Sequence, residues 1–428
     1  MIPFLVLFLG LLFSSLTAQA ADAVRCEALF NKIPLNKYEA LAEELDLTYL
    51  KSPVPAGYMR MILNTRVYLK KDGTAGKTVY YYRYFRPDGS IIRPKLDAEE
   101  HKDIVAQFTR MKPDRNWDQV WLSPDENSHI QVLAKNSQGK NVAIYHEDWS
   151  PGASQAKFKR VQKFGVYVAE LRKGFEKILK NPSYESDSRQ KVESAALMLL
   201  MSGRIRVGDI KYLSENGTSG VTTLQKKQVF TDEKGNLFLK YIGKSGNKNP
   251  INPNYTTIEI SNPSLKKTLL ELNQTNSNDP RLMIYNRNSN LTALSPDYLN
   301  RRLRELTGYQ SFSVKDFRTW SANVKTVQEL IQSGSPPESL TRQDAILKAV
   351  AKNVSRLLNN TPGVARKDYI DPRILNPEGY RDLWQLCKTQ FPALLLLKAD
   401  KKNDFNIRYN PAFENLTLAF LKSLEEGK

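Results

Sequence analysis

"QVFTDEKGNLFLKYIGKSGNK", residues 228–248, changes the texture of the chain around it. Its apolar residues sit in β-rich runs, with turns expected at Lys234-Gly235-Asn236 and from Gly243 to Asn247. The flanking segments are helical. Before it, Phe158, Val161, Phe164, Val168, Leu171, Phe175 and Ile178 recur at helical spacing, with Lys157, Lys159, Arg160 and Lys163 on the opposite side. After it, helices are expected over 263–273, 296–307, 321–333 and 341–358. The last is opened by the capping pattern Thr341-x-x-Asp344, and its apolar stripe of Ile346, Val350, Val354 and Leu357 ends at Asn359-Asn360. The stretch is thus a small sheet inside a mainly helical domain.

Residues 56–150 read differently. "TVYYYRYF" is β-rich, "RPDGS" is a turn, and "SHIQVLA" and "NVAIYH" flank "KNSQGK" as a hairpin. The fold class is therefore α+β: a small N-terminal β-rich domain, 56–150, followed by a mainly helical domain with a small sheet, 151–375. Residues 21–55 read as an N-terminal extension and 376–428 as a separate C-terminal one.

With 63 Lys and Arg against 45 Asp and Glu, the chain carries a net charge of +18 spread along its length, which suits a polyanionic partner. "MIPFLVLFLGLLFSSLTAQA", residues 1–20, has no charged side chain and closes on Ala18-Gln19-Ala20. It reads as an export signal cut after Ala20, so the protein is expected to be periplasmic or secreted. An uncleaved membrane anchor is the alternative, because no basic residue precedes the apolar run. Cys26 and Cys387 could pair in an oxidising compartment or remain thiols; spacing does not decide between these.

Four stretches carry chemistry: "GRIRVGDIKYLSENGTSGVTTL" (203–224), "YIGKSG" (241–246), "KDFRTW" (315–320) and "NNTPGVARKDYIDP" (359–372). Tyr369 in the last follows Arg366-Lys367 by two positions. On its own that phenol could be a buried polar anchor, a stacking residue or a nucleophile. The order Arg, Lys on a hairpin, Arg, then Asn and Tyr resembles the catalytic domain of type IB DNA topoisomerases of the small bacterial and poxvirus-like branch. The similarity runs over about residues 75 to 375 and includes "RPDGS", "NWDQVW" and "KFKRVQKFG".

The resemblance implies roles that the chemistry also requires. A phenol attacking a DNA phosphodiester builds negative charge on the phosphorane's equatorial oxygens, which arginine forks can hold. By family position Arg206 and Arg318 would do so, Lys244 would be the general acid for the departing 5′-oxygen, and Tyr369 would be the nucleophile. Asn360 stands where many relatives have histidine. An amide donates a hydrogen bond without titrating, so its role would be electrostatic. Lys315 fills the position where tyrosine recombinases usually carry histidine. A 3′-phosphotyrosine conserves the ester's energy, so no ATP, metal or other cofactor is expected, and His101, His129 and His146 are scattered.

Double-stranded DNA is the expected partner, with no obligatory protein partner and a monomeric state. Lys211 and Tyr212 match groove-contacting positions of the family. In the β-domain, relatives commonly carry Arg-Lys-Gln-Tyr-x-Tyr where this chain has Lys140-Asn141-Val142-Ala143-Ile144-Tyr145. Lys140 and Tyr145 persist as candidate DNA contacts, and binding is expected to be driven mainly by phosphates.

Overall fold

The computed structural model describes residues 38–50, 55–244, 254–397 and 411–426. The leader, Cys26, most of the turn after Lys244 and the "KADKKNDFN" stretch lie outside the described residues. The chain divides into two compact units, Met1–Ala156 and Lys157–Lys428. The division falls within a long helix, slightly after the boundary expected at 150.

The first unit opens with a short helix, α1 (Glu39–Glu44), and is built on a six-stranded antiparallel sheet. Its strands are β1 (Tyr58–Leu69), β2 (Ala75–Phe85), β3 (Ile91–Ile92), β4 (Asp118–Leu122), β5 (Ile130–Lys135) and β6 (Asn141–Tyr145), in the order β3-β2-β1-β4-β5-β6. Period-two alternation gives the sheet two apolar faces. Tyr84, Ile92, Val120, Leu122, Val132 and Ala134 pack with Ile104 and Phe108 of α2 (Ala98–Met111). Met59, Phe85, Trp121, Ile130 and Leu133 pack on the other side with Leu50. Residues 38–50 are thus structural, because Leu41, Ala42 and Leu47 also enclose Trp149. The "KNSQGK" hairpin forms as expected, with Lys135 paired to Asn141.

The second unit is mainly helical. The rest of α3 (Trp149–Lys180) leads to α4 (Arg189–Met201), whose residues from Lys191 to Met201 are all buried, as a helix at the centre of a bundle must be. Then come α5 (Ile210–Asn216), a three-stranded antiparallel sheet of β7 (Val229–Thr231), β8 (Leu237–Ile242) and β9 (Tyr255–Ile260), α6 (Pro263–Gln274), and the hairpin β10 (Ile284–Arg287) with β11 (Asn290–Ala293). The remaining helices are α7 (Pro296–Thr307), α8 (Lys315–Gln332), α9 (Leu340–Leu357), α10 (Pro362–Asp368), α11 (Pro377–Gln390) and α12 (Pro411–Glu426). The architecture is α+β, with the small sheet where residues 228–248 put it.

Three expectations are corrected. Helix α8 begins at Lys315 rather than 321, because Asp316 accepts from the Ser313 backbone N–H at 2.8 Å and turns the chain into the helix six residues earlier. The cap of α9 is Ser339, which accepts from the Arg342 N–H, not Thr341. The buried stripe of α9 accordingly runs through Leu347, Val350, Ala351 and Val354 to Leu358, leaving Ile346 and Leu357 partly exposed. Finally, the C-terminal residues are not a separate extension. Tyr380, Leu383, Cys387, Phe413, Leu416, Phe420 and Leu421 belong to the same core as Trp320 and Val327, and a buried Arg172–Glu414 ion pair joins α12 to α3. The Cys387 thiol is buried and donates to the Phe391 carbonyl at 3.6 Å.

Candidate active site

Two glycines shape the loop that carries the first arginine. Gly208 has φ +82°, and a Cβ on Gly220 would lie 2.4 Å from the Gly208 nitrogen and 2.6 Å from the Arg206 carbonyl oxygen. Only bare backbone fits there. The close approach lets Val221 N–H donate to the Arg206 carbonyl and Thr222 N–H to the Val207 carbonyl, both at 2.8 Å. This explains Gly208 and Gly220 in "GRIRVG…TSGVTT": their contact pins the backbone of Arg206 and Val207.

Arg318 lies on the first turn of α8, is only 4 % exposed, and has its guanidinium seated in backbone carbonyls. Nη1 donates to the Gly203 carbonyl at 2.6 Å and to that of Arg204 at 3.4 Å, and Nη2 donates to the Leu358 carbonyl. Burial pulls its pKa down to about 10, and the neighbouring Arg206 adds to the fall, yet it stays cationic at neutral pH. Arg206 donates from Nη2 to Asn360 Oδ1 at 3.0 Å. That bond fixes the amide, leaving Asn360 Nδ2 buried and without a hydrogen-bond partner among the described residues.

Tyr369 completes the cluster. It caps the C-terminus of α10, a helix started by Thr361, whose side chain accepts from the Val364 N–H, and by Pro362 at its first turn. The ring centroid is 5.2 Å from Arg318 Cζ and 5.9 Å from Lys315 Nζ. Burial of the ring opposes ionisation, but the attraction of Arg318, Arg206 and Lys315 together outweighs it, and the phenol pKa falls below its ordinary value. Asn323 of α8 holds the backbone around it, donating to the Tyr369 carbonyl at 3.2 Å and accepting from the Asp371 N–H at 2.7 Å. A second phenol, Tyr241 on β8, has the charges of Arg318, Arg204 and Arg206 nearby. There burial prevails and pushes the pKa up to about 12, so Tyr241 stays neutral.

The structure therefore brings together Arg206, Arg318, Asn360 and Tyr369. Lys244 is exposed at the end of β8, where the described residues stop. Its hairpin is tied to the cluster at the base: Asn359, beside Asn360, donates to Thr256 Oγ1 at 2.8 Å, and its Nδ2 would lie 3.4 Å from a Cβ on Gly243. Lys211 and Tyr212 are on α5, a helix with no buried residue; Tyr212 is 58 % exposed and Lys211 Nζ is 3.8 Å from Glu215. Lys140 and Tyr145 belong to the other unit, Lys140 in the β5–β6 turn and Tyr145 stacked on Trp149 at 6.5 Å. Of the cations on the basic side of α3, Arg160 pairs with buried Asp316 at 3.1 Å and Lys157 donates to the Asp368 carbonyl at 3.0 Å. Lys163 Nζ also lies 4.2 Å from the Tyr309 ring, so three of the four cations of that face have contacts within the fold. Sequence reasoning missed Asn323 and Tyr241. Asn323 works on backbone 46 residues away, a pairing with no local signal. Among the described residues no group of three His, Cys, Asp or Glu could hold a metal, and no helix is long and apolar enough to cross a membrane.

A buried arginine fork, a second arginine bonded to an amide and a phenol whose ionisation both favour form one cationic cluster on an α+β scaffold. Residues 148–375 match the profile of the family described as eukaryotic DNA topoisomerase I, catalytic core, and the chain belongs to that family. It is similar to DNA topoisomerase 1B of Acanthamoeba polyphaga mimivirus, with 28% identity over 315 residues, covering 71% of this chain and 84% of that protein. DNA topoisomerase I of Monkeypox virus and DNA topoisomerase 1B of Vaccinia virus are each 23% identical over 227 residues, 51% of this chain and 65% of theirs. These relatives put it with the virus-like type IB enzymes.

Proposed function

We propose that the protein relaxes supercoiled double-stranded DNA by breaking and resealing one strand through a 3′-phosphotyrosine, with neither ATP nor a metal ion. Tyr369, its phenol proton given up to solvent, attacks the phosphorus through Oη as the bond to the 5′-oxygen breaks, and that oxygen leaves with a proton from Lys244. Arg206, Arg318 and Asn360 Nδ2 receive the nonbridging oxygens. Reversal, with the 5′-hydroxyl attacking and the phenol leaving, restores the strand. The observation that carries this reading is the Arg318 guanidinium, fixed by three carbonyls beside the Tyr369 ring, together with Arg206 bonded to an Asn360 whose Nδ2 has no partner among the described residues. Electrostatic preorganisation of this kind needs no rearrangement when charge develops.

The test is plasmid relaxation by the mature protein in a chelator without nucleotide. Wild type relaxes the plasmid and is trapped as a protein–DNA adduct by denaturant; Tyr369→Phe binds DNA and does neither. Equal activity of the two proteins removes Tyr369 from the reaction, and joining of two specific sites without relaxation makes the protein a recombinase. The protein acts as a monomer and outside the cytoplasm. Export rests on the uncharged residues 1–20 and Ala18-Gln19-Ala20, and N-terminal sequencing of protein from fractionated cells checks it: a chain beginning at Ala21 supports export, and one beginning at Met1 in the cytoplasm refutes it.

A further inference from the structure

In the N-terminal unit, β1 and β2 outrun the sheet that holds them. Beside β4, only Tyr58, Met59 and Arg60 of β1 are paired; beside β3, only Tyr84 and Phe85 of β2 are. Beyond these the two strands pair solely with each other, out to Leu69 opposite Ala75. The last seven residues of β1, Leu63 to Leu69, are all exposed, on both faces of the strand. At about 3.4 Å per residue the free part of β1 reaches roughly 25 Å.

The base of this ribbon is clamped. Arg60 is buried with its Cζ 4.3 Å from the Tyr82 ring and 5.8 Å from Phe108, and it donates to the Asp114 carbonyl at 3.1 Å. Tyr82 Oη donates to the Arg115 carbonyl at 2.8 Å, and Ile62 N–H donates to Asp118 at 3.1 Å. The ribbon is rooted in the core, and no described residue of its own unit covers Leu63 to Leu69.

Its chemistry is two-sided. Register places Asn64 opposite Tyr81 and Arg66 opposite Val79, so that Arg66, Tyr68, Tyr81 and Arg83 share one face, with Arg66 Cζ 5.9 Å from the Tyr68 ring. The other face carries Thr65 opposite Tyr80 and Val67 opposite Thr78. Lys70, Lys71 and Lys77 surround the tip, where the carboxylate of Asp72 is occupied by the backbone and hydroxyl of Thr74 at 2.9 and 2.6 Å. An exposed β-ribbon with cations, tyrosines and isolated apolar side chains matches a DNA groove: a two-stranded ribbon fits the major groove, cations reach the phosphates on its rims, and methyl and ring contacts meet base edges. A lipid surface would need an unbroken apolar face, which the interleaved Thr65, Thr78, Asn64 and Arg66 deny it.

We infer that the β1–β2 ribbon, residues 62–83, is a second duplex-binding element that lies in the major groove outside the cleavage site and lengthens the contact with DNA. This rests on the function proposed above for its partner. It also gives the N-terminal unit a groove-contacting strand pair where Val142 and Ala143 stand on β6 instead of the glutamine and tyrosine of relatives.

The test separates binding from chemistry. In a Tyr369→Phe background, Arg66, Lys70, Lys71 and Lys77, all exposed, are changed together to serine, and Tyr68→Ala/Tyr81→Ala is made as a second variant. Binding to a 40-base-pair duplex is titrated over a range of salt, with hydroxyl-radical footprinting and a thermal melt as a check on folding. The cation variant is expected to bind at least tenfold more weakly, with a log–log salt slope smaller by about 2 to 4, since each lost phosphate contact removes about 0.9. The tyrosine variant keeps the slope and loses protection at one edge of the footprint. With Tyr369 restored, single-turnover cleavage at saturating protein is unchanged in both. An unaltered slope and footprint overturn the inference even if plasmid relaxation is normal, as does wild-type binding to phosphatidylglycerol vesicles that the ribbon variants lose while DNA binding persists. If wild type instead fails to cleave DNA, the proposed reaction falls, and the footprint still decides the ribbon.

Discussion

Arg318 and Lys244 are both expected to meet the same phosphodiester, yet the fold treats them oppositely. Arg318 is 4 % exposed and its guanidinium is held by the carbonyls of Gly203, Arg204 and Leu358. Lys244 stands exposed just past the end of β8, near where Asn359 donates to Thr256 Oγ1. The contrast follows from what each group must do. A cation that stabilises charge on oxygens whose position is fixed is best immobile and dry. A proton donor must reach an oxygen that moves away from phosphorus, and an exposed ammonium on a four-carbon stem allows that.

The sharpest way to break the contrast is to loosen its rigid half. Arg318→Ala is expected to slow single-turnover cleavage by about 10³, the upper range for one preorganised donor, and Arg318→Lys recovers little, since one ammonium cannot serve three carbonyls and a phosphate. Full recovery by lysine would mean that charge alone matters. For the exposed half, Lys244→Ala is expected to cost about 10² in cleavage of an ordinary strand. With sulfur in place of the 5′-bridging oxygen the deficit disappears, because a thiolate leaves unprotonated; a deficit that persists with sulfur assigns Lys244 to binding.

Smaller effects probe the link between halves. Asn360→Ala frees Arg206 from its 3.0 Å bond and removes the unpartnered Nδ2 donor, with a loss of about tenfold in cleavage, the worth of a hydrogen bond of about 1.4 kcal/mol. Because Asn360 does not titrate, Asn360→His should add a rate dependence between pH 5.5 and 7.5 that wild type lacks. The smallest effect is on the upper pH limb. The Tyr369 pKa is lowered, so its ionised form is favoured and the rate climbs at lower pH than a free phenol would allow. Lys315→Gln removes one of the attractive charges, raising the phenol pKa and moving that limb to higher pH. The phosphodiester's own charge acts alike in both proteins, so an unmoved limb excludes Lys315 from tuning the phenol.

Much of this arrangement could be read directly. The period change at 228–248 marked the small sheet, and the helices expected over 263–273 and 296–307 form, started at Asn262-Pro263 and Ser295-Pro296 by side-chain oxygens that accept the first free N–H groups; the short helix after Thr361-Pro362 was not expected. Arg206, Arg318, Asn360 and Tyr369 were recognisable by order and meet in space. What stayed hidden depends on partners distant in sequence. The start of α8 turns on Asp316, which also pairs with Arg160, and the usefulness of Gly220 appears only when Gly208 lies against it. The apolar run at residues 391–397 carries no sign of which surface it meets, and so residues 376–428 read as a separate extension.

They are not, and this has a practical side. α12 packs into the core that supports α8, and its Glu414 is paired with Arg172 in the interior. Shortening the protein before residue 411 would strip Phe413, Leu416, Phe420 and Leu421 from the back of the helix that presents Arg318. Investigators trimming the gene for expression should leave that end whole, or a sluggish preparation will be mistaken for a poor enzyme.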